Sequence, residues 1–239
     1  MPNCVEQALF SKFKNEERRR LFVKERKSES VFNSIAPIYG LFYERQKKGF
    51  SRMLESAEKE LGLSSFETIL DVGCGTGALC AVLSEKGFTV TGVDSAEKML
   101  GVARKKPENS SVRFVRANII EKPIFDDKSY DISIASYVAH GMNAGDRSLM
   151  YSEMGRVTKS AVLIYDYNQK RSLLTSVIEW LEGGHYFNFI KNPESEMMNC
   201  VHELRKCFEE VKVVDIGARS ALYVCTPRQN HAEYGKRGE

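Results

Sequence analysis

The 239-residue chain has no apolar run of bilayer length. Its longest nearly uncharged stretch, Ile132 to Met142, falls well short of the ~20 residues a spanning helix needs. Charges interrupt residues 1–30 throughout, so no signal-peptide core is expected there. Cysteine is sparse and unpatterned: the six, at 4, 74, 80, 200, 207 and 225, form no Cys-x-x-Cys pair and no zinc-like Cys/His spacing. No metal is expected. Excess charge is also scarce, only +3, and residues 1–30 hold it with eight basic and five acidic side chains. The remainder balances at 27 against 27, without the basic face usual in nucleic-acid binders. There is no internal repeat and no low-complexity tract. Disordered, fibrous, transmembrane and ordinary secreted classes are set aside, and the scattered thiols point to a reducing, cytoplasmic compartment.

What is present is ordinary for a soluble globular protein, with 42% apolar and 28% charged residues. Such a chain can bury a core without disulfide or metal staples. Val5, Leu9, Phe13, Leu21 and Phe22 recur at roughly helical spacing among charges, which reads as a peripheral amphipathic helix. Residues 31–61 also read as helical, punctuated at Ala36-Pro37 because the residue before proline is pushed out of the α region. Strands are then expected over 66–72, 88–93, 112–116, 130–135 and 161–165. Helices are expected over 76–86, 96–105 and 144–156. That alternation implies crossover units and a largely parallel sheet covered on both faces. Residues 211–216 and 221–225 are too close for a crossover and must pair antiparallel. The tail from Pro227 is polar and reads as frayed.

The most informative segment is LDVGCGTGALC, residues 70–80, where a strand runs into Gly73, Gly75 and Gly77 and a helix begins at once. Glycines there allow a sharp turn and close approach of a ligand, and the helix start offers unpaired N–H groups to an anionic group. Asp94 closes the next strand, where doubly wound folds place an acid on ribose hydroxyls. Gly73, Gly75 and Ala78 also satisfy a dinucleotide pattern, so an NAD(P)-dependent oxidoreductase is one reading. Asp71 argues against it. A carboxylate before the first glycine suits an ammonium-bearing ligand such as the methionine end of S-adenosylmethionine better than a pyrophosphate.

The ordered set resembles the class I S-adenosylmethionine-dependent methyltransferases over roughly residues 31–226. LDVGCGTG is similar to the first motif and VTGVDSAEKML (90–100) to the second strand with its ribose acid. VRFVRANIIEKPIFDDKSYDISIAS (112–136) resembles the stretch around strands three and four. YVAHGM (137–142) resembles the segment after strand four. VFNSIAPIYGLFYERQ (31–46) is similar to the N-terminal helices of the ubiquinone/menaquinone-biosynthesis branch, which cover the pocket.

The resemblance implies an α/β, doubly wound Rossmann-like sheet of seven mostly parallel strands with an antiparallel terminal hairpin strand. It implies a helical cap over 1–60, a cofactor-binding domain over 61–226 and a flexible tail over 227–239. Gly73, Gly75 and Gly77 would shape the turn under the methionine portion, with Asp71 near its ammonium group. Asp94 would accept two ribose hydrogen bonds. Ser95 and Met99 would lie beside the adenosine, Met99 as an apolar wall. Asn118 would read the adenine amino group, or else cap its own loop, and Ile119 would flank the ring. Tyr39 would touch the cofactor, or else sit in the core.

For catalysis, in-line methyl transfer depends on alignment more than on any obligatory side chain. His140 is the candidate base for a hydroxyl acceptor, with Asp166 a second candidate; packing alone is the other reading of His140. Cys200 and Cys207 fall on one helical face and read as structural thiols rather than acceptor thiols. The expected reaction is methyl transfer to a small, partly apolar molecule, with S-adenosylhomocysteine as product. A protein that binds the cofactor without catalysis is the alternative. Tyr39, Phe42, Tyr43, Trp180, Tyr186, Phe187 and Phe189 are the aromatics that suggest the acceptor class.

Overall fold

A computed structural model of the chain describes residues 30, 32–34, 36, 40–167, 193–216 and 220–229. The expected helix over 1–30, Tyr39, Trp180, His185, Tyr186, Phe187, Phe189, His231 and most of the polar tail lie outside the described residues.

The central strands are apolar on both faces, as strands covered by helices on each side must be. These are β1 (Thr68–Val72), β4 (Tyr130–Ser136) and β5 (Thr158–Tyr167). Flanking them are β2 (Thr89–Asp94), β3 (Arg113–Arg116), β6 (Phe208–Ile216) and β7 (Ser220–Pro227), in the order β3-β2-β1-β4-β5-β7-β6. The pairs from β3 through β5 are parallel, and β7 runs antiparallel to both β5 and β6. This is the expected architecture. The strands extend by one to three residues beyond the expected bounds at several ends, most at β5 and β6. Both begin directly where a helix stops, with no turn residue between to mark them.

Residues of even and odd number on β5 and β7 face opposite layers. Val162, Ile164, Ala221 and Tyr223 join the core under α4 (Ala144–Val157) and α5 (Pro193–Cys207). Leu163, Leu222 and Val224 join the core under α1 (Tyr43–Leu61) and α2 (Ala78–Glu85). A fifth helix, α3 (Glu97–Ala103), follows β2. Helix α1 forms because Phe50, Met53, Leu54, Ala57 and Leu61 make one stripe at helical spacing, and it ends where Gly62 takes a left-handed conformation. The sheet edges carry exposed charge on β6, including Glu209, Glu210 and Lys212, which discourages further strand pairing.

Asp131 fastens the amino ends of β1 and β4. One oxygen accepts the N–H groups of Glu67 and Thr68 and the Thr68 hydroxyl, and the other meets Lys159 Nζ at 2.8 Å. These donors hold its carboxyl well below the usual carboxylate range. The strand order reverses between β1 and β4, so the crevice of the fold opens at the carboxyl ends of those strands.

Candidate active site

The loop leaving β1 carries Gly73, Gly75 and Gly77 at φ of +69°, +52° and +77°, a region that L side chains rarely adopt. The three serve different ends. A Cβ on Gly73 would lie 2.6 Å from Val138 Cγ2, and one on Gly77 would lie 2.5 Å from Asn109 Nδ2. A Cβ on Gly75 would meet nothing within 4 Å. Gly73 and Gly77 therefore permit internal packing, whereas Gly75 faces open space, as a cradle for a ligand requires. The first turn of α2 has no side-chain cap, since Gly77 is its N-cap residue.

Asp94 ends β2 beside this loop. Its Oδ2 accepts the Gly75 N–H at 2.9 Å and its Oδ1 accepts the Ala96 N–H at 2.8 Å. The carboxylate expected on a ribose thus also braces the cradle. A carboxylate can accept about four hydrogen bonds, so these two do not by themselves saturate it.

Asp71 lies inside the fold. It is 1% exposed, on the α2 side of β1, and accepts the Cys80 thiol at 3.1 Å. Burial, with the nearby Asp94 charge adding to it, pushes its carboxyl up to about 7 despite that bond. It lies under the loop rather than on its surface, and near neutral pH it is only partly ionised. The charge argument against a pyrophosphate ligand is correspondingly weaker than the sequence implied.

Met99 is 2% exposed and packs with Ala36 and Ala96. Ile119 is 6% exposed within the core under α4. Both are core residues as well as candidate cofactor walls. Asn118 Oδ1 accepts the Ile120 N–H at 3.3 Å, the loop-capping arrangement. Ser95 is half-buried, and its carbonyl receives Arg116 Nε at 3.4 Å. Tyr43 is core: it packs on Ala78 and Ala81, and burial raises its hydroxyl far above the ordinary value. Phe42 is exposed. Cys200 is buried and Cys207 half-buried, with its sulfur 3.9 Å from the hydroxyls of Ser148 and Ser152.

At the ends of β4 and β5, the two catalytic candidates meet. His140 Nδ1 is 2.9 Å from Asp166 Oδ1, and the His140 N–H donates to Asp166 Oδ2 at 3.1 Å. The imidazole follows β4 in a short 3-10 turn (Ala139–Gly141), and the acid ends β5. The sequence did not single out Tyr137 or Tyr167, whose rings stand 5.2 Å apart, with Tyr167 4.9 Å from the imidazole. Tyr137 holds a left-handed backbone, φ +54°, and its hydroxyl lies 2.8 Å from Ser220 Oγ on β7. Its place right after a strand was the only signal. Val138 sits between Tyr137 and His140 and touches Gly73, so the glycine loop and the histidine turn form one wall of the crevice.

Among the described residues, no group of three or more His, Cys, Asp or Glu could hold a metal ion. None of the described helices is long and apolar enough to cross a membrane.

Comparison with known proteins gives the same picture. A family model described as a methyltransferase domain matches residues 69–161. The chain is 31% identical over 178 residues to the chloroplastic 2-phytyl-1,4-beta-naphthoquinone methyltransferase of Arabidopsis thaliana, covering 69% of this chain and 67% of that protein. It is 28% identical over 242 residues to the demethylmenaquinone methyltransferase of Staphylococcus aureus, covering 88% of this chain and 90% of that one. Other curated relatives are matched over less of their length, 38% of one and 49% of another. Among solved structures, the PH0226 protein of Pyrococcus horikoshii superposes with a TM-score of 0.64 at 20% identity, over 84% of this chain and 99% of that chain, a likeness of fold.

Proposed function

The chain belongs to the class I S-adenosylmethionine-dependent methyltransferases, and on that premise we propose that it methylates a small, partly apolar molecule, releasing S-adenosylhomocysteine. The observation that carries this reading is that two features share the carboxyl ends of neighbouring parallel strands. Gly75 opens outward beside Asp94 after β1 and β2, and the His140–Asp166 pair lies at the ends of β4 and β5.

The residues fit the cofactor. Gly75 leaves open space, Asp94 offers a carboxylate to ribose hydroxyls, and Ser95 and Met99 follow β2 as Asn118 and Ile119 follow β3, at the same carboxyl ends of the sheet. Asp71 lies under the loop, where a cation bound above would draw it toward its ionised form. Tyr39 is assigned to the cofactor side by resemblance alone. When bound, the cofactor supplies a methyl group on a positively charged sulfur.

The remaining work falls to the chain's own side chains. Asp166 Oδ1 lies 2.9 Å from His140 Nδ1, so its carboxylate stands where it offsets the charge the ring gains on taking up a proton. His140 thereby accepts the proton of an acceptor hydroxyl as its oxygen becomes nucleophilic. Tyr137 and Tyr167 present aromatic faces beside the imidazole, which suits a flat, partly apolar acceptor. The naphthoquinone- and menaquinone-type relatives favour the same class. The N-terminal cap (1–60), the catalytic domain (61–226) and the tail (227–239) form the organisation we propose for this chemistry. The described cysteines are all free thiols, which fits the cytoplasm.

A thermal-shift titration against S-adenosylhomocysteine, S-adenosylmethionine, NAD and NADP tests the reading. A ligand at about 100 times its Kd stabilises by roughly 2.7 kcal/mol. Stabilisation by the two sulfur compounds alone is expected. Stabilisation by NAD or NADP, or by none of the four, would overturn the proposal.

A further inference from the structure

Helix α3 starts directly after the strand-ending Asp94, and its N-cap position is Ala96, which has no side chain able to cap. The first turn of a helix leaves backbone N–H groups without helical partners. One of them, on Lys98, is satisfied from 65 residues away: Asn33 Oδ1 accepts it at 2.9 Å. Around that bond, Ala36 is 1% exposed against Ala96 and Met99, with Phe32 packed on the same cluster. Ala96 is also the residue whose N–H is held by Asp94 Oδ1 at 2.8 Å. A continuous path therefore runs from Asn33 through the start of α3 to the carboxylate that braces Gly75.

We infer that Asn33 is a positioning residue for the cofactor site: it caps α3 in trans, so that the N-terminal segment and the ribose side of the crevice are set as one unit. This rests on the cofactor reading given above. Ala96 does not supply a local cap, so the start of α3 depends on the N-terminal segment being docked. By thermodynamic reciprocity, a ligand that fixes Asp94 and Ala96 must also favour the docked segment.

Binding and exchange measurements on the full chain test this, with S-adenosylhomocysteine as the probe. Asn33→Ala should weaken binding about three- to tenfold, the range expected from loss of one cap. Asn33→Asp retains an acceptor at a helix start and should restore affinity to within about twofold. Ala96→Ser in the Asn33→Ala background supplies a local cap and should recover most of the loss. Hydrogen exchange adds a readout that mere destabilisation would not give. In the wild type, the probe should slow exchange at residues 32–36, and in Asn33→Ala it should slow only the glycine loop and α3. Equal affinity of wild type and Asn33→Ala, or equal loss in the Ala and Asp variants, would overturn the inference. So would unchanged exchange at 32–36 on binding. Failure of the wild type to bind the probe would remove the cofactor reading itself, and the inference with it.

Discussion

His140 and Asp166 make a two-point contact: the ring Nδ1 lies 2.9 Å from one carboxylate oxygen while the backbone N–H of the same histidine donates to the other at 3.1 Å. Asp166 Oδ1 also accepts the Tyr167 N–H at 2.8 Å, so backbone donors hold both carboxylate oxygens and keep the acid beside the buried ring.

His140→Gln and Asp166→Asn should each lower methyl transfer to a hydroxyl-bearing acceptor by about 10²–10⁴-fold, the usual range for loss of a positioned base. Affinity for S-adenosylhomocysteine should stay within about twofold, because neither residue belongs to the glycine loop. Release of S-adenosylhomocysteine across a panel of small hydroxylated aromatics measures the first effect, and calorimetry the second. Undiminished turnover in both variants would leave the pair with a packing role only.

The glycine loop separates folding from binding. Gly73→Ala should destabilise the protein by about 2–5 kcal/mol, combining a left-handed alanine with a clash against Val138. Val138→Ala in the same chain should recover part of that. Gly75→Ala carries only the backbone cost of about 1–2 kcal/mol, because its Cβ meets nothing, yet it should abolish cofactor binding. Denaturant melts paired with binding isotherms distinguish the two. A Gly75→Ala variant that binds normally would show the cradle lies elsewhere.

Asp94→Ala should weaken S-adenosylhomocysteine binding by roughly 1.5–3 kcal/mol, on the order of 10- to 150-fold, for loss of a charged acceptor. Because Asp94 also holds the Gly75 and Ala96 N–H groups, hydrogen exchange at both should speed up even without ligand. Normal affinity in the folded variant would refute the ribose assignment.

Asp71 makes stability depend on pH. Its carboxyl is raised from an ordinary 3.8 to about 7 by burial, so the folded protein keeps a proton that the unfolded chain gives up. The contribution is full below about 4, declines as pH rises and is gone above about 7. Asp71→Asn is neutral at every pH and should shrink the stability difference between pH 5 and pH 8 by roughly 2–3 kcal/mol. Urea melts at the two pH values measure it, and parallel wild-type and variant curves would contradict the buried acid.

The sequence by itself determined the strand order of events along the chain, the antiparallel end, and the pairing of a glycine loop with an acid after the next strand. Those signals are local. Alternation of strand and helix follows from hydrophobic periodicity, the short gap between β6 and β7 permits only a hairpin, and left-handed turns demand glycine within a few residues of where they occur. Only the tertiary structure decided which side chains meet. His140 and Asp166 were separate candidates, 26 residues apart, until the parallel pairing of β4 with β5 put both strand ends at one rim. Asp71 read as an acid near a ligand's ammonium group, and the covering of β1 by α2 is what buries it against Cys80. Tyr137 met Ser220, and Asn33 met Lys98, across 83 and 65 residues. No period or spacing encodes such contacts. They follow from how layers pack, because burial and hydrogen bonding act between neighbours in space, while a sequence orders only neighbours along the chain.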